Sequence, residues 1–147
     1  MKSVLVRYIA IIFLLFFASC SKSNIIYSQD YLISVEAQGV VEEIRIAYQD
    51  KKRDFLSKNL SPSLSREIGL EFDKADLSFD YKLIKIEGER ISMKLTWHAE
   101  CTVNGEKYDR EGSALFILTG RPMKLLDIKG ENPFICHRVM ERSYLGS

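Results

Sequence analysis

The most restrictive feature of this sequence is the stretch from residue 91 to residue 103, in which apolar and polar side chains alternate. Alternation with a period of two is typical of a β-strand that buries one face, because successive side chains of a strand point to opposite faces. The apolar positions are Ile91, Met93, Leu95, Trp97, Ala99, Cys101 and Val103. The stretch therefore predicts a long strand whose apolar face covers a core.

Asn104 and Gly105 end this stretch and predict a two-residue hairpin, because both central residues of such a turn adopt positive φ angles. A turn of this length fixes the register of the next strand. The predicted pairs are Val103 with Glu106, Cys101 with Tyr108, Ala99 with Arg110, Trp97 with Gly112, Leu95 with Ala114, Met93 with Phe116 and Ile91 with Leu118. Gly112 leaves room for the Trp97 indole and allows the sheet to curve there.

Two more strands are predicted, one on each side of the hairpin. The first contains the alternating residues Leu77, Phe79, Tyr81 and Leu83, after which Ile84 and Ile86 continue on the other parity. A change of parity within a strand indicates a bulge, which we expect near Leu83. After a turn at residues 120–122, residues 123–129 are predicted to form the fourth strand.

Three helices are predicted before the sheet. The first carries one apolar stripe, made of Ile33, Ala37, Val40, Val41, Ile44, Ala47 and Tyr48, and Asp30 is its expected N-cap. Phe55, Leu56 and Leu60 indicate a short second helix. A third should begin at Ser61 and Pro62, since serine caps free amides and proline fits the first helical position. The spacing of Leu64, Ile68 and Phe72 extends this third helix to residue 72.

The first nineteen residues have the composition of an export signal, with a basic start followed by an apolar run at residues 8–17. The run is too short to span a bilayer, which needs about 20 residues. Phe17-Ala18-Ser19-Cys20 resembles the lipobox of bacterial lipoproteins. The resemblance implies that Cys20 becomes the acylated N-terminus and anchors the protein in membrane lipid. The alternative is an ordinary secretory signal with an incidental cysteine.

Ser21, rather than an aspartate, follows Cys20. By resemblance to enterobacterial sorting, this places the lipid-anchored protein in the bacterial cell envelope at the outer membrane rather than the inner one. Such a compartment is oxidising. Cys101 and Cys136 could therefore form a disulfide, or each could be a small buried hydrophobic residue.

Charge excludes one class of partner. Without residues 1–19 the chain has 19 basic and 20 acidic residues, whereas proteins that bind nucleic acid normally carry a basic excess or a basic stripe. We therefore expect no nucleic-acid partner. The remaining length fits one folded domain of ordinary globular composition.

The order of these elements resembles that of the NTF2-like superfamily, which includes nuclear transport factor 2, ketosteroid isomerase and the SnoaL-like proteins. Residues 54–62 resemble its second helix, residues 112–116 its glycine-led long strand, and residues 126–134 a final strand that ends in Gly-x-Asn-Pro-Phe. The resemblance implies an α+β cone in which one long and two short helices pack on a curved four-stranded antiparallel sheet.

Four segments follow from these patterns. Residues 1–19 are the predicted lipoprotein signal peptide, and residues 20–30 are a flexible tether. Residues 31–134 are the predicted NTF2-like domain, and residues 135–147 are a C-terminal tail.

The sequence carries no recognised catalytic motif, and we expect no cofactor. His98 should lie on the outer face of the sheet, His137 lies in the predicted tail, and neither has ligands at metal-binding spacing, so no metal site is predicted. The candidate ligand pocket on the inner face consists of Tyr81, Trp97, Tyr108 and Arg110. These side chains are also compatible with an ordinary core.

Arg110 is the informative member of this set, because a guanidinium on an inner face must be paired or hydrogen-bonded. It could pair with Glu36 or Glu43 of the first helix, bind an anion at the mouth of the cone, or reach solvent at the rim.

Three function classes follow. The first is a non-catalytic lipoprotein domain that binds a small apolar ligand or a partner protein. The second is a dimerising envelope module that uses the outer sheet face, where Leu115 and Ile117 interrupt a polar surface. The third is a small enzyme of the SnoaL or ketosteroid isomerase type, which would need an acid or base carboxylate on the inner face that the sequence does not identify.

Overall fold

The computed structural model describes residues 27–136 and has an α+β architecture. Residues outside this range, including Cys20, the predicted signal peptide and most of the predicted tail, are not described. Within these described residues, three helices precede one curved antiparallel sheet of strand order β1-β2-β3-β4. The elements are α1 (Gln29–Gln49), α2 (Arg53–Asn59), α3 (Pro62–Glu67), β1 (Lys74–Glu87), β2 (Arg90–Val103), β3 (Glu106–Thr119) and β4 (Lys124–Gly130).

The predicted register of the central hairpin is confirmed at every pair from Val103 with Glu106 to Ile91 with Leu118. The turn has the expected backbone, with φ angles of 51° at Asn104 and 80° at Gly105. The bulge in β1 is also confirmed, because the pairing with β2 shifts between Tyr81 and Leu83.

The start of α1 differs from the prediction. Ser28, not Asp30, is the N-cap, and its hydroxyl accepts a hydrogen bond from the amide of Tyr31 at 3.2 Å. Asp30 lies in the first turn, where a negative charge interacts favourably with the helix dipole. The helix therefore begins at Gln29, inside the segment predicted to be a tether.

The end of α3 also differs. Ser61 caps the helix as predicted and accepts from the amide of Leu64 at 3.3 Å, but the helix ends at Glu67 instead of continuing to residue 72. Tertiary contacts explain the difference. The Phe72 ring packs on Tyr48 with centroids 5.1 Å apart, and the Phe72 carbonyl accepts from Lys51 Nζ. These contacts hold an extended backbone beyond Gly69, a residue that weakens helices.

The core lies between the inner face of the sheet and the helices. Helix α1 contributes the buried residues Ala37, Val41, Ile44, Ala47 and Tyr48. The chain after β4, residues 131–136, which we call the C-terminal segment, also contributes to this core. Its Phe134 is fully buried, and Cys136 is 5% exposed.

Candidate functional site

The four residues of the predicted pocket lie in adjacent rows of the central strands. Tyr81 is opposite Leu95. Trp97 pairs with Gly112, Arg110 with Ala99 and Tyr108 with Cys101. Trp97, Arg110 and Tyr108 therefore form a continuous group near the hairpin end of the sheet, and Tyr81 lies on the far side of Trp97, in the edge strand β1.

Trp97 is a core residue that faces Gly112, as predicted. Its side chain is 3% exposed, and its indole Nε1 donates to the carbonyl of Glu131 at 2.9 Å. A Cβ atom added to Gly112 would lie 2.8 Å from Cζ2 of the indole. The glycine is therefore required by the close approach of the ring.

Arg110 binds the C-terminal segment. Its guanidinium donates to the carbonyl of Ile135 and lies over the Trp97 ring, with Cζ 5.4 Å from the ring centroid. Within residues 27–136 it forms no ion pair with Glu36 or Glu43. Arg110 thus holds the segment against the sheet, a role that the sequence analysis did not include.

Tyr81 bonds to α1 through Glu42. Its hydroxyl donates to Glu42 Oε1 at 2.7 Å, while Arg45 Nε donates to Glu42 Oε2 at 2.6 Å. Burial and, after it, the bond to Glu42 raise the pKa of Tyr81 far above its usual value, so the hydroxyl remains a neutral donor. Arg45 and Gln49 also bond the backbone of Leu77, which ties α1 to β1.

Glu42 is the inner-face carboxylate that the sequence analysis could not identify. Both of its oxygens accept short hydrogen bonds, one from a tyrosine and one from a guanidinium. A carboxylate whose two oxygens are both engaged in this way has a structural role, because a general base must reach a substrate proton instead. Glu42 and Arg45 are three residues apart in α1, a spacing that allows such a pair on a helix surface.

Trp97 and Tyr108 border two different depressions on the surface. The one at Trp97 has a volume of about 740 Å³ and is lined mainly by outer-face residues such as Thr96 and Glu111. The one at Tyr108 measures about 370 Å³ and includes Lys74. The Tyr108 hydroxyl donates to Glu106 at 2.8 Å, and this bond, more than burial, raises the pKa of Tyr108.

Aromatic rings fill the space between the sheet and α1. The Phe134 ring lies 5.2 Å from Tyr48, 6.0 Å from Phe79 and 6.0 Å from Phe116, measured between centroids. The Tyr48 hydroxyl is 3.3 Å from Cys136 Sγ, and burial raises the pKa of Tyr48 well above its usual value. The C-terminal segment thus supplies part of the core between α1 and the sheet.

Cys101 and Cys136 form a disulfide, with their Cα atoms 5.6 Å apart. This resolves the two alternatives that the sequence left open. The bond joins β2 to the C-terminal segment close to the contact between Arg110 and Ile135. Covalent and polar contacts therefore hold the same segment across the inner face.

His98 lies half-buried on the outer face of the sheet, as predicted. The distance between His98 Nε2 and Asp109 Oδ1 is 2.7 Å. The apolar residues on this face differ in their exposure to solvent. Leu115 is half-buried and Ile117 is 2% exposed, whereas Leu126, the extra residue at a bulge in β4, is 46% exposed.

Comparisons with protein-family models, curated proteins and solved structures found no match for this chain. Among residues 27–136, no helix is both long and apolar enough to cross a membrane. The case for any function therefore rests on the residues and contacts described above.

Proposed function

We propose that this protein is a bacterial envelope lipoprotein, anchored through acylated Cys20 at the outer membrane, whose non-catalytic NTF2-like domain binds a partner protein. The observation that carries the anchorage is the sequence Ala18-Ser19-Cys20 directly after an apolar run. Acyl chains contribute about 0.8 kcal/mol for each buried CH₂ group, so several chains give lasting attachment.

The first turns of α1 support this anchorage. Tyr27, Tyr31, Leu32 and Val35 are each about half exposed. Tyr27 lies seven positions after Cys20 in the sequence, and an extended chain of that length reaches about 25 Å. These aromatic and aliphatic side chains would therefore stay near the bilayer surface, where tyrosine is favoured.

The NTF2-like assignment is supported by the order of the elements and by their packing. In the part of the chain that the structure describes, one long helix and two short ones come before the curved sheet, and the long helix packs on the inner face of that sheet. The Asn-Pro-Phe sequence after β4 then inserts Phe134 beneath the sheet. This packing supports the cone that the resemblance implies.

A partner protein is favoured over a small apolar ligand because aromatic rings pack between α1 and the sheet. Phe134 lies among Tyr48, Phe79 and Phe116, and no polar or charged residue of the described chain is buried among them as a catalytic group would be. The polar ends of Trp97 and Arg110 are bonded to the C-terminal segment. Recognition would therefore use the outside of the domain.

The alternative is a homodimer formed through the outer sheet face. Leu126 favours it, because this large apolar side chain is 46% exposed next to Asp127, the residue that pairs with Ile117. Sedimentation equilibrium separates the two proposals: a homodimer has twice the mass of the chain, and a module that binds a different protein sediments as a monomer.

The anchorage predicts a complete loss of membrane association in Cys20→Ala. In bacteria grown with labelled palmitate, the parent protein should carry the label and sediment with membranes, because the thiol is the site of acylation. The variant should carry no label and appear in the soluble fraction. Ser21→Ala is the matched control, since it changes the adjacent residue and keeps the thiol. Membrane association that is unchanged in Cys20→Ala contradicts the proposal.

A further inference from the structure

A histidine and two carboxylates meet on the outer face of the sheet. His98 and Glu100 are two residues apart in β2, so their side chains leave the same face. Asp109 of β3 is the direct cross-strand partner of Glu100. One potential ligand atom from each residue lies within 4.8 Å of the other two. The register of the hairpin therefore gathers three ligands from two strands.

The surroundings of this cluster are acidic. Asp76 of β1 pairs with Glu100 on one side, and Glu111 of β3 pairs with His98 on the other. The nearest lysines in the sheet, Lys74 and Lys107, both pair with Thr102. Thr102 is the next residue of β2 after Glu100 on the outer face. Four carboxylates around one imidazole produce a negative potential that attracts a cation.

We propose that His98, Glu100 and Asp109 bind a divalent first-row transition-metal ion. One imidazole and two carboxylates are ligands that zinc and its neighbours accept, and three protein ligands leave positions for water. The His98 and Asp109 side chains are 43% and 74% exposed, so these positions face solvent.

The contact between His98 and Asp109 supports the proposal. The 2.7 Å between Nε2 and Oδ1 accommodates one shared proton. A metal ion would take the place of that proton, and the neutral imidazole would then carry its proton on Nδ1. A zinc–nitrogen bond is about 2.0–2.1 Å long, so the two ligand atoms would separate slightly as the ion enters. Rotation of exposed side chains permits this movement.

This inference does not rest on the proposed anchorage or on a partner protein. The metal would join β2 to β3, and an ion that binds only the folded state raises the stability of that state. Spacing along the sequence did not reveal the cluster, because Asp109 comes from the strand after the hairpin.

Zinc binding to the purified, untagged protein tests the proposal, after metal has been removed with a chelator. Isothermal titration calorimetry should give one zinc ion for each chain, and zinc should raise the melting temperature. His98→Ala and Asp109→Asn should each lower the affinity at least about tenfold. Asp76→Asn is the matched control, since it removes the same charge as Asp109→Asn from a residue outside the cluster, and it should retain the parent affinity within about threefold.

Three results would overturn the proposal. The first is the absence of saturable zinc binding by the parent protein. The second is parent-like affinity in both His98→Ala and Asp109→Asn. The third is an equal loss in Asp76→Asn and Asp109→Asn, which would mean that zinc is attracted by diffuse negative charge and not by coordination. The circular dichroism spectrum of each variant establishes that it is folded.

Discussion

Replacing Trp97 with alanine should lower the free energy of unfolding by about 3 to 5 kcal/mol. The indole is 3% exposed, and it donates to the Glu131 carbonyl and lies beneath the Arg110 guanidinium. Its removal leaves a cavity, breaks the hydrogen bond to the C-terminal segment and removes the ring that lies under Arg110. Because Trp97 is the single tryptophan of the chain, unfolding should be followed by circular dichroism instead of fluorescence. A loss of this size is a large part of the stability of a domain.

Gly112→Val tests the same packing from the opposite strand. The added Cβ would lie 2.8 Å from the indole ring and would also meet the Glu131 carboxylate. The carboxylate can move, but the buried ring cannot, so we expect a loss of about 1 to 3 kcal/mol or more. Gly39→Ala is the control, because its added Cβ would meet no atom within 4 Å beyond its chain neighbours and the backbone of its own helix, and it should be neutral or stabilising. Melting of Trp97→Ala or Gly112→Val within about 3 °C of the parent would contradict this packing.

Loss of the disulfide should lower the free energy of unfolding by an amount similar to the loss expected for Trp97→Ala. Cys101 and Cys136 are 35 residues apart, and closing a loop of that size stabilises a protein by about 4 kcal/mol when calculated from the entropy of the unfolded chain. The double variant Cys101→Ala with Cys136→Ala should therefore unfold at a lower denaturant concentration than the oxidised parent. Reduction of the parent with dithiothreitol should bring it close to the variant.

The control for this experiment is the double variant treated with the same reductant, which should not change further. Two free thiols from Cys101 and Cys136 in the unfolded, unreduced parent would contradict the disulfide. A melting temperature unaffected by reduction would contradict its role in holding the C-terminal segment.

The central part of the fold could be predicted because local signals agree there. A strand with strict alternation, a turn that requires positive φ angles, and a glycine opposite a tryptophan all specify one register, and the structure has that register. The bulge near Leu83 was also predictable. The apolar residues change there from odd to even positions, and an extra residue is needed to keep them on the same face of the sheet.

The remaining features depend on contacts between distant parts of the chain. Helix α3 ends early because Phe72 packs on Tyr48, which is 24 positions away in the sequence. Arg110 faces the inner side as predicted, but its partner is the Ile135 carbonyl. Every residue has a backbone carbonyl, so the residue types in the sequence cannot indicate which one accepts this bond. Glu42 was missed because its position on α1 lies beside the apolar stripe rather than within it.

These contacts assign most of the predicted pocket to structural roles. Trp97, Tyr81 and Arg110 each direct a polar atom to another part of the chain and hold α1 or the C-terminal segment to the sheet. The surfaces left for recognition are the exposed start of α1 and the outer sheet face. The first follows the proposed lipid anchor in the sequence, and the second carries the proposed metal site.

The position of Phe134 tests most directly whether the interior is filled by the chain itself. In the purified protein, nuclear Overhauser effects should connect the Phe134 ring protons to those of Tyr48 and Phe116, whose ring centroids lie 5.2 and 6.0 Å away. Observation of these effects would support a domain that acts through its outer surfaces. Their absence, together with a solvent-exposed Phe134 ring, would mean that the space between α1 and the sheet is open, and a small apolar ligand would then replace a partner protein as the favoured proposal.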